Sequence, residues 1–158
     1  AWPDVETHCE AVLAIGEAVG GEMDMMLDSY CLYETFSDAL KVGRACDEAG
    51  FYWYEDPYSD GGVTTFSHAR LRERIATPLL MGEKVGTIEE RMALILQGAT
   101  DFVRGDVSYD GITGVIKLAH AAAAQAKTSA AKEQAAIKTV EELLQGARTA
   151  RGRKPCAA

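Results

Sequence analysis

The sequence predicts an α/β fold in which four parallel strands alternate with helices. Two observations support this class: short apolar segments alternate with longer segments of helical periodicity, and the short segments are almost continuously apolar. Strands that alternate with helices form βαβ units, which place the strands parallel in one sheet. Parallel sheets are usually covered on both faces, which accounts for the apolar runs. A doubly wound sheet and a barrel both satisfy this pattern.

The predicted strands are rich in Met, Leu, Val and aromatic residues, and they cover residues 23–28, 51–55, 79–83 and 102–107. The predicted helices cover residues 4–19, 37–49, 65–75, 87–97 and 111–123. Pro3 suits the start of the first helix, and Gly50 suits the C-terminal cap of the second. Thr87 and Glu90 have the spacing of a capping box at the start of the fourth helix.

Charge and composition divide the chain into two predicted regions. Residues 1–123 hold 21 acidic and 9 basic residues, a net charge of −12, whereas residues 124–158 hold 3 acidic and 7 basic residues, a net charge of +4. The second region contains ten alanines and no aromatic residue. We expect a helical, Ala/Lys-rich tail with its helix over residues 125–146, ending in a basic segment that is disordered.

Composition also excludes several classes of protein. The formal net charge of −8 argues against a nucleic-acid-binding protein, which needs a basic face to neutralise phosphates. We expect no membrane association, because a membrane span needs about 18 apolar residues without a charge and the sequence has no such stretch. The four cysteines lack C-x-x-C spacing, so we expect reduced thiols in a cytoplasmic protein.

Each predicted strand ends in a carboxylate, and these residues are Asp28, Glu55, Glu83 and Asp106. The C-terminal ends of parallel strands lie on one rim of a sheet or barrel, where active sites are found. Carboxylates gathered there would repel one another unless a multivalent cation were bound among them. Carboxylate oxygens without a neighbouring His or Cys suit a hard ion such as Mg²⁺. The sequence therefore predicts a magnesium site.

Four short motifs resemble the enolase superfamily, most closely its mandelate racemase and acid-sugar dehydratase branch. They are Met-Leu-Asp28, Trp-Tyr-Glu55-Asp-Pro57, Leu-Met-Gly-Glu83, and Val-Arg-Gly-Asp106-Val followed by Asp-Gly-Ile-Thr-Gly114. The resemblance covers about residues 1–123. It implies a partial TIM-type (β/α) barrel of four βα units, matching the second to fifth strands, with a C-terminal helical extension.

The resemblance also implies an activity and a set of site residues. Asp28, Glu55 and Glu83 match the three Mg²⁺ ligands of the superfamily. Asp106 matches an aspartate that pairs with a histidine as an acid/base dyad in many members. The shared chemistry is removal of the proton α to a carboxylate. The implied enzyme is a Mg²⁺-dependent dehydratase (lyase) or racemase/epimerase (isomerase), acting on a sugar acid.

The sequence departs from the superfamily pattern in its proton-transfer residues. The lysine base of relatives lies on the strand before Asp28, which here would end near Ala1-Trp2, so we expect this base outside the chain. No strand with the dyad histidine is predicted after residue 123, and His8, His68 and His120 fall in predicted helices. A non-catalytic barrel fragment that keeps the metal site therefore stays open as the alternative function. We expect a homo-oligomer or a complementing partner chain in either case.

Four further polar residues lie near the predicted rim by sequence. Tyr30, Tyr58 and Arg104 could contact a substrate there, although core or loop roles are expected to be more common for such positions. Lys84 directly follows Glu83 and could offset its charge. We expect Lys84 to be a solvated lysine instead.

Overall fold

The computed structural model describes the backbone of residues 4–60 and 64–151, and the side chains of residues 4–60, 64–128 and 130. Its elements follow in the order α1 (Val5–Val19), β1 (Met26–Asp28), α2 (Phe36–Ala49), β2 (Trp53–Glu55), α3 (Thr65–Arg72), β3 (Leu79–Met81), α4 (Ile88–Leu96), β4 (Phe102–Val103) and α5 (Val107–Arg151). Strands and helices alternate, so the predicted α/β class is confirmed.

The four strands form one parallel sheet in the order β1-β2-β3-β4. Neighbours in the sheet are therefore also neighbours in the sequence. A doubly wound sheet reverses its order at a switch point, whereas a barrel adds strands in sequence order. The observed order is that of a barrel segment, as the superfamily resemblance implies.

Local sequence signals account for several helix ends. Asp4 caps α1, with its Oδ1 accepting a hydrogen bond from the Thr7 backbone N–H at 2.8 Å. The capping box of Thr87 and Glu90 is present at the start of α4. Gly50 ends α2 at φ +70°, a left-handed conformation that glycine adopts without a Cβ penalty. Pro3 lies outside the described residues.

The two faces of the sheet differ in burial. Side chains on one face pack against the helices, and Tyr54, Leu79 and Met81 are fully buried there. The opposite face carries Met26 and Phe102, whose exposed fractions are 51% and 39%. Within the described residues this second face has no helical cover, which differs from the expectation that both faces are covered. A closed barrel turns that face toward its own interior, where side chains from other strands fill it.

All four predicted strands are longer than the observed ones. Residues 23–25, 51–52, 82–83 and 104–107 are apolar or lie beside apolar runs, but they are not part of the strand ladder. Backbone hydrogen bonds do continue just beyond the strand bounds, since the Tyr52 N–H donates to the Met25 carbonyl at 2.7 Å and the Arg104 N–H to the Met81 carbonyl at 2.8 Å. The apolar pattern nevertheless extends further than the regular ladder, because hydrophobicity does not define interstrand pairing. As a result Asp28 and Glu55 end their strands, while Glu83 and Asp106 lie in loops after β3 and β4.

Helix bounds need similar corrections. Helix α3 ends at Arg72, three residues before the predicted end. Helix α5 begins at Val107 instead of residue 111, because the Asp106 carbonyl accepts hydrogen bonds from Tyr109 and Asp110 and so starts a helical turn. The backbone at Gly111 is non-helical, with φ +65° and ψ 168°, and joins this turn to the longer helix.

The chain separates into two compact units, Ala1–Ala122 and Ala123–Ala158. The helix predicted over residues 125–146 lies within α5. The sequence-based division into domains at residue 123 stays a prediction, because α5 contains residues of both units. The basic C-terminal segment after Arg151 lies outside the described residues. Among the helices that the structure describes, none is long and apolar enough to cross a membrane.

Candidate metal centre

Three carboxylates meet at the C-terminal ends of β1, β2 and β3. Asp28 and Glu55 are paired in register as the last residues of their strands, and Glu83 follows β3 after Gly82. One oxygen of each carboxylate lies within 4.8 Å of the corresponding oxygens of the other two. Oxygens around an octahedral Mg²⁺ are roughly 3–4 Å apart, given Mg–O distances of about 2.0–2.1 Å. Small side-chain adjustments would let one cation contact all three.

Hydrogen bonds around Ser29 hold the ends of β1 and β2 together. The Ser29 hydroxyl donates to the Glu55 carbonyl at 2.8 Å and to the Asp56 carbonyl at 3.0 Å. The Tyr30 N–H donates to Asp28 Oδ1 at 2.8 Å, in a turn where Tyr30 has φ +53°. Backbone and hydroxyl donors therefore fix the carboxylate of Asp28 and the peptide that follows Glu55.

Glu55 is the most buried of the three carboxylates, with an exposed fraction of 7%. Burial raises the pKa of Glu55, and the negative charge of Asp28 raises it further, while Arg104 opposes both effects. The ionised form of Glu55 is thus under-compensated in this environment. A divalent cation would supply the missing positive charge.

Asp56 is a second buried carboxylate next to Glu55, and its exposed fraction is only 2%. Its Oδ1 accepts a hydrogen bond from the Gly82 N–H at 3.4 Å. Burial raises the pKa of Asp56 from 3.8 to about 6. Asp56 is not among the site residues predicted from the sequence, where its position next to Glu55 is the only signal.

Two cationic side chains lie against the carboxylates. Arg104 Nη1 is 3.0 Å from Glu55 Oε1 and also hydrogen bonds to Glu83 Oε2. Lys84 Nζ is 3.0 Å from Glu83 Oε1 and 4.5 Å from the centre of the Tyr30 ring. Lys84 is exposed, as expected of a solvated lysine, and its contact with Glu83 also offsets part of the charge of that carboxylate.

Asp106 is not among the three carboxylates that the structure brings together. It precedes α5, and its Oδ1 accepts a hydrogen bond from the Ser108 N–H at 2.7 Å. Hydrogen bonding by the Ser108 side chain, and then by its backbone N–H, lowers the pKa of Asp106. The histidines lie on α1, α3 and α5. His8 hydrogen bonds to the Tyr33 hydroxyl, His68 is fully buried and His120 is exposed.

The donor set fits a hard divalent cation. It consists of three carboxylates without a nitrogen or sulfur ligand among them, and Mg²⁺ prefers oxygen ligands of this kind. The site also lies at the C-terminal rim of a parallel sheet, where α/β barrels place their catalytic groups. This geometry is suited to binding a cation and, through it, an anionic ligand.

Comparison with known proteins agrees with this description. The family model described as "Enolase C-terminal domain-like" matches residues 1–140, which extends beyond residue 123 into the predicted tail. Over 122 residues the chain is 29% identical to L-talarate/galactarate dehydratase of Salmonella typhimurium, covering 77% of this chain and 30% of that protein. The chain thus spans between 22% and 31% of the length of the curated relatives it matches.

Solved structures show the same fold. L-talarate dehydratase from Polaromonas sp. JS666, solved with Mg and L-glucarate, gives a TM-score of 0.71 at 25% identity, covering 79% of this chain and 34% of that chain. D-glucarate dehydratase from Agrobacterium tumefaciens, complexed with magnesium, gives a TM-score of 0.68 at 32% identity. This match covers 78% of this chain and 32% of that chain. The chain belongs to the enolase C-terminal domain-like family, on the mandelate racemase and acid-sugar dehydratase branch of the enolase superfamily.

Proposed function

We propose that this chain carries the Mg²⁺-binding residues of an enzyme that removes the proton α to a carboxylate of a sugar acid. The observation that carries the proposal is the meeting of Asp28, Glu55 and Glu83 oxygens within 4.8 Å at the strand ends. The relatives described above support it, since two of them are dehydratases solved with magnesium.

Asp28, Glu55 and Glu83 are the residues that would hold the metal. When bound, Mg²⁺ supplies positive charge against the negative charge that develops on a substrate carboxylate as its α-proton leaves. Such a proton is very weakly acidic, so a base acting alone gives no useful rate and electrostatic stabilisation is needed.

The cations and Asp106 have separate tasks in this proposal. Lys84 and Arg104 place positive charge beside the carboxylates and so favour the approach of an anionic sugar acid. The side chain and the backbone N–H of Ser108 favour the carboxylate form of Asp106. In that form its oxygen can accept a hydrogen bond from the group that transfers the proton and orient it.

A second candidate function is that of a metal-binding segment that works only with a further polypeptide. The observation that favours it is the sheet face on which Asp28 and Glu55 lie. Met26 and Phe102 on that face are 51% and 39% exposed, and exposed apolar surface next to a polar site is typical of an interface. The further polypeptide could be a second copy or a different chain.

Two measurements on the 158-residue chain test these functions. The first is titration with L-glucarate in Mg²⁺ and in EDTA, with glucose as the uncharged control. We expect glucarate to bind in Mg²⁺ but not in EDTA, and we expect glucose not to bind in either. If glucarate does not bind in Mg²⁺, the proposal is contradicted.

The second measurement is exchange of the glucarate α-protons in D₂O, followed by NMR. If the wild-type chain exchanges these protons, and the Asp106→Asn variant exchanges them more slowly while binding Mg²⁺ equally well, the chain acts as the proposed enzyme. If the wild-type chain binds Mg²⁺ and glucarate but exchanges no α-protons, the second candidate function is supported, in which the chain works only with a further polypeptide.

A further inference from the structure

A buried ion pair links the two loops that hold Glu83 and Asp106. Arg91, on α4, and Asp110, in the first turn of α5, have side chains that are 1% and 3% exposed. Arg91 Nη1 lies 2.5 Å from Asp110 Oδ1. Neither residue is among the site residues predicted from the sequence, and neither belongs to the three-carboxylate group.

Arg91 also fixes the peptide that precedes Glu83. Its Nε donates to the Gly82 carbonyl at 3.0 Å, while the Gly82 N–H donates to Asp56. Both polar groups of Gly82 are thereby engaged, one from each side. Because Glu83 is the next residue, the direction in which its side chain leaves the backbone depends on this arrangement.

Asp110 fixes the peptide of Asp106. Its Oδ2 accepts a hydrogen bond from the Asp106 N–H at 3.1 Å, while its Oδ1 contacts Arg91. The packing leaves room for this side chain only because residue 114 is glycine, since a Cβ at Gly114 would lie 2.9 Å from the Asp110 Cβ. One carboxylate therefore serves the Arg91 guanidinium and the Asp106 backbone at the same time.

We propose that Arg91 and Asp110 are a positioning pair that sets the orientation of Glu83, and with it Mg²⁺ affinity, and that ties this orientation to the Asp106 loop. The proposal rests on the proposed function, because Glu83 must be a metal ligand. Burying two charges is costly, and well-packed apolar residues are often as stable or more stable at such positions. Stability alone therefore gives little reason to have an ion pair here, whereas holding two loops in a fixed geometry does.

The rival explanation is that the pair only stabilises the fold. The two explanations separate when the pair is replaced by apolar side chains of similar volume, as in Arg91→Met combined with Asp110→Leu. Such replacements of buried ion pairs are often neutral or stabilising. The double variant keeps the packing but removes the hydrogen bonds to Gly82 and Asp106.

The experiment measures Mg²⁺ and Ca²⁺ affinities by calorimetry at a temperature where circular dichroism shows each variant folded. We expect the double variant to bind Mg²⁺ about 10–100-fold more weakly than wild type, the usual effect of removing groups that orient metal ligands. Ca²⁺ affinity should fall less, because Mg²⁺ demands near-ideal octahedral geometry and Ca²⁺ does not.

Asp110→Asn provides a second variant of nearly unchanged shape. The Asp110 carboxylate uses one oxygen for Arg91 and the other for the Asp106 N–H. An amide has only one acceptor oxygen, so Asp110→Asn keeps one of these two hydrogen bonds and loses the other. We expect a loss of Mg²⁺ affinity of about tenfold, at the lower end of that range. If the double variant does not fold, the Mg²⁺ affinity of Asp110→Asn decides between a positioning role and a purely stabilising role of the pair.

Leu94→Ala is the matched control, since Leu94 is fully buried on the same helix within an apolar cluster. It should lose stability and keep its Mg²⁺ affinity. Wild-type Mg²⁺ affinity in either folded variant of the pair overturns the proposal, as does an equal loss in Leu94→Ala. Failure of the wild-type chain to bind Mg²⁺ refutes the proposed function itself and removes the basis of this inference.

Discussion

The guanidinium of Arg104 is hydrogen-bonded to Glu55, with Nη1 3.0 Å from Oε1. The same nitrogen contacts Glu83, so one cationic group of this chain bridges two of the three carboxylates at the strand ends. Arg104 therefore neutralises part of the acidic cluster and also engages one oxygen each of Glu55 and Glu83, two of the three carboxylates that could hold a divalent cation. Its effects on stability and on metal affinity should have opposite signs.

Replacing Arg104 by glutamine tests this opposition. In EDTA, Arg104→Gln should lower the free energy of unfolding by up to about 1 kcal/mol, because the ion pair is partly exposed. In calorimetry the same variant should bind Mg²⁺ about fivefold more tightly, the equivalent of roughly 1 kcal/mol. Arg70→Gln is the control, since the Arg70 side chain on α3 is also 46% exposed but pairs with Glu73, the residue after that helix. Unchanged or weaker Mg²⁺ binding in Arg104→Gln contradicts the prediction.

A side chain at position 82 should disturb the loop that carries Glu83. Gly82 has φ +123°, and a Cβ there would lie 2.9 Å from the Arg104 carbonyl oxygen. Gly82→Ala should therefore cost about 1–3 kcal/mol of stability in urea unfolding and weaken Mg²⁺ binding. Gly21→Ala is the matched control, because a Cβ at Gly21 would meet nothing within 4 Å. Equal stability of the two alanine variants would show that this account of Gly82 is wrong.

Asp56 should make the metal-free chain less stable as pH rises. Its pKa in the folded state is raised from 3.8 to about 6, so between these values the folded chain binds more protons than the unfolded chain. Stability due to protonated Asp56 is fully present below pH 3.8 and is lost as pH rises to about 6. The loss should be roughly 2–3 kcal/mol.

Asp56→Asn isolates this effect, because its amide oxygen can still accept the Gly82 hydrogen bond but the group does not titrate. Urea unfolding in EDTA between pH 4 and pH 7 compares the two proteins. We expect wild type to lose stability relative to Asp56→Asn across this range. A difference that stays constant with pH means that Asp56 does not titrate as described.

The parts of the site that follow from hydrophobic pattern could be predicted from the sequence. Asp28 and Glu55 each end a buried apolar run, and parallel strands bring such ends to one rim, so their meeting was predictable. The same strand-end pattern also predicted Glu83 at this rim, and the resemblance to the superfamily identified it as the third metal ligand. Glu83 lies beyond the end of β3, after Gly82 with its φ of +123°. Strand lengths were over-predicted, since hydrophobicity does not reveal where a hydrogen-bonded neighbour stops.

Buried charges were beyond prediction for a different reason. Arg91 follows Glu90 in a helix whose first turn is acidic, and in sequence it looks like an ordinary surface arginine. Only the three-dimensional packing shows that its guanidinium reaches Gly82 and Asp110 inside the protein. Lys84 and Arg104 differ from Arg91, because both are exposed and the sequence placed both near the rim. The pairing of Arg104 with Glu55 and Glu83 becomes evident only when the loops are placed.

Calorimetric titration of the chain with Mg²⁺ tests the metal site most directly, with Asp28→Asn and Glu55→Gln as site variants. Glu10→Gln, at an exposed position on α1, is the control for a lost carboxylate elsewhere. We predict one Mg²⁺ bound per wild-type chain, the same affinity in Glu10→Gln, and an affinity at least about tenfold weaker in each site variant, as expected when one of three ligands is lost. Absence of Mg²⁺ binding to the wild-type chain, or wild-type affinity in Asp28→Asn and Glu55→Gln, would contradict the assignment of this metal site.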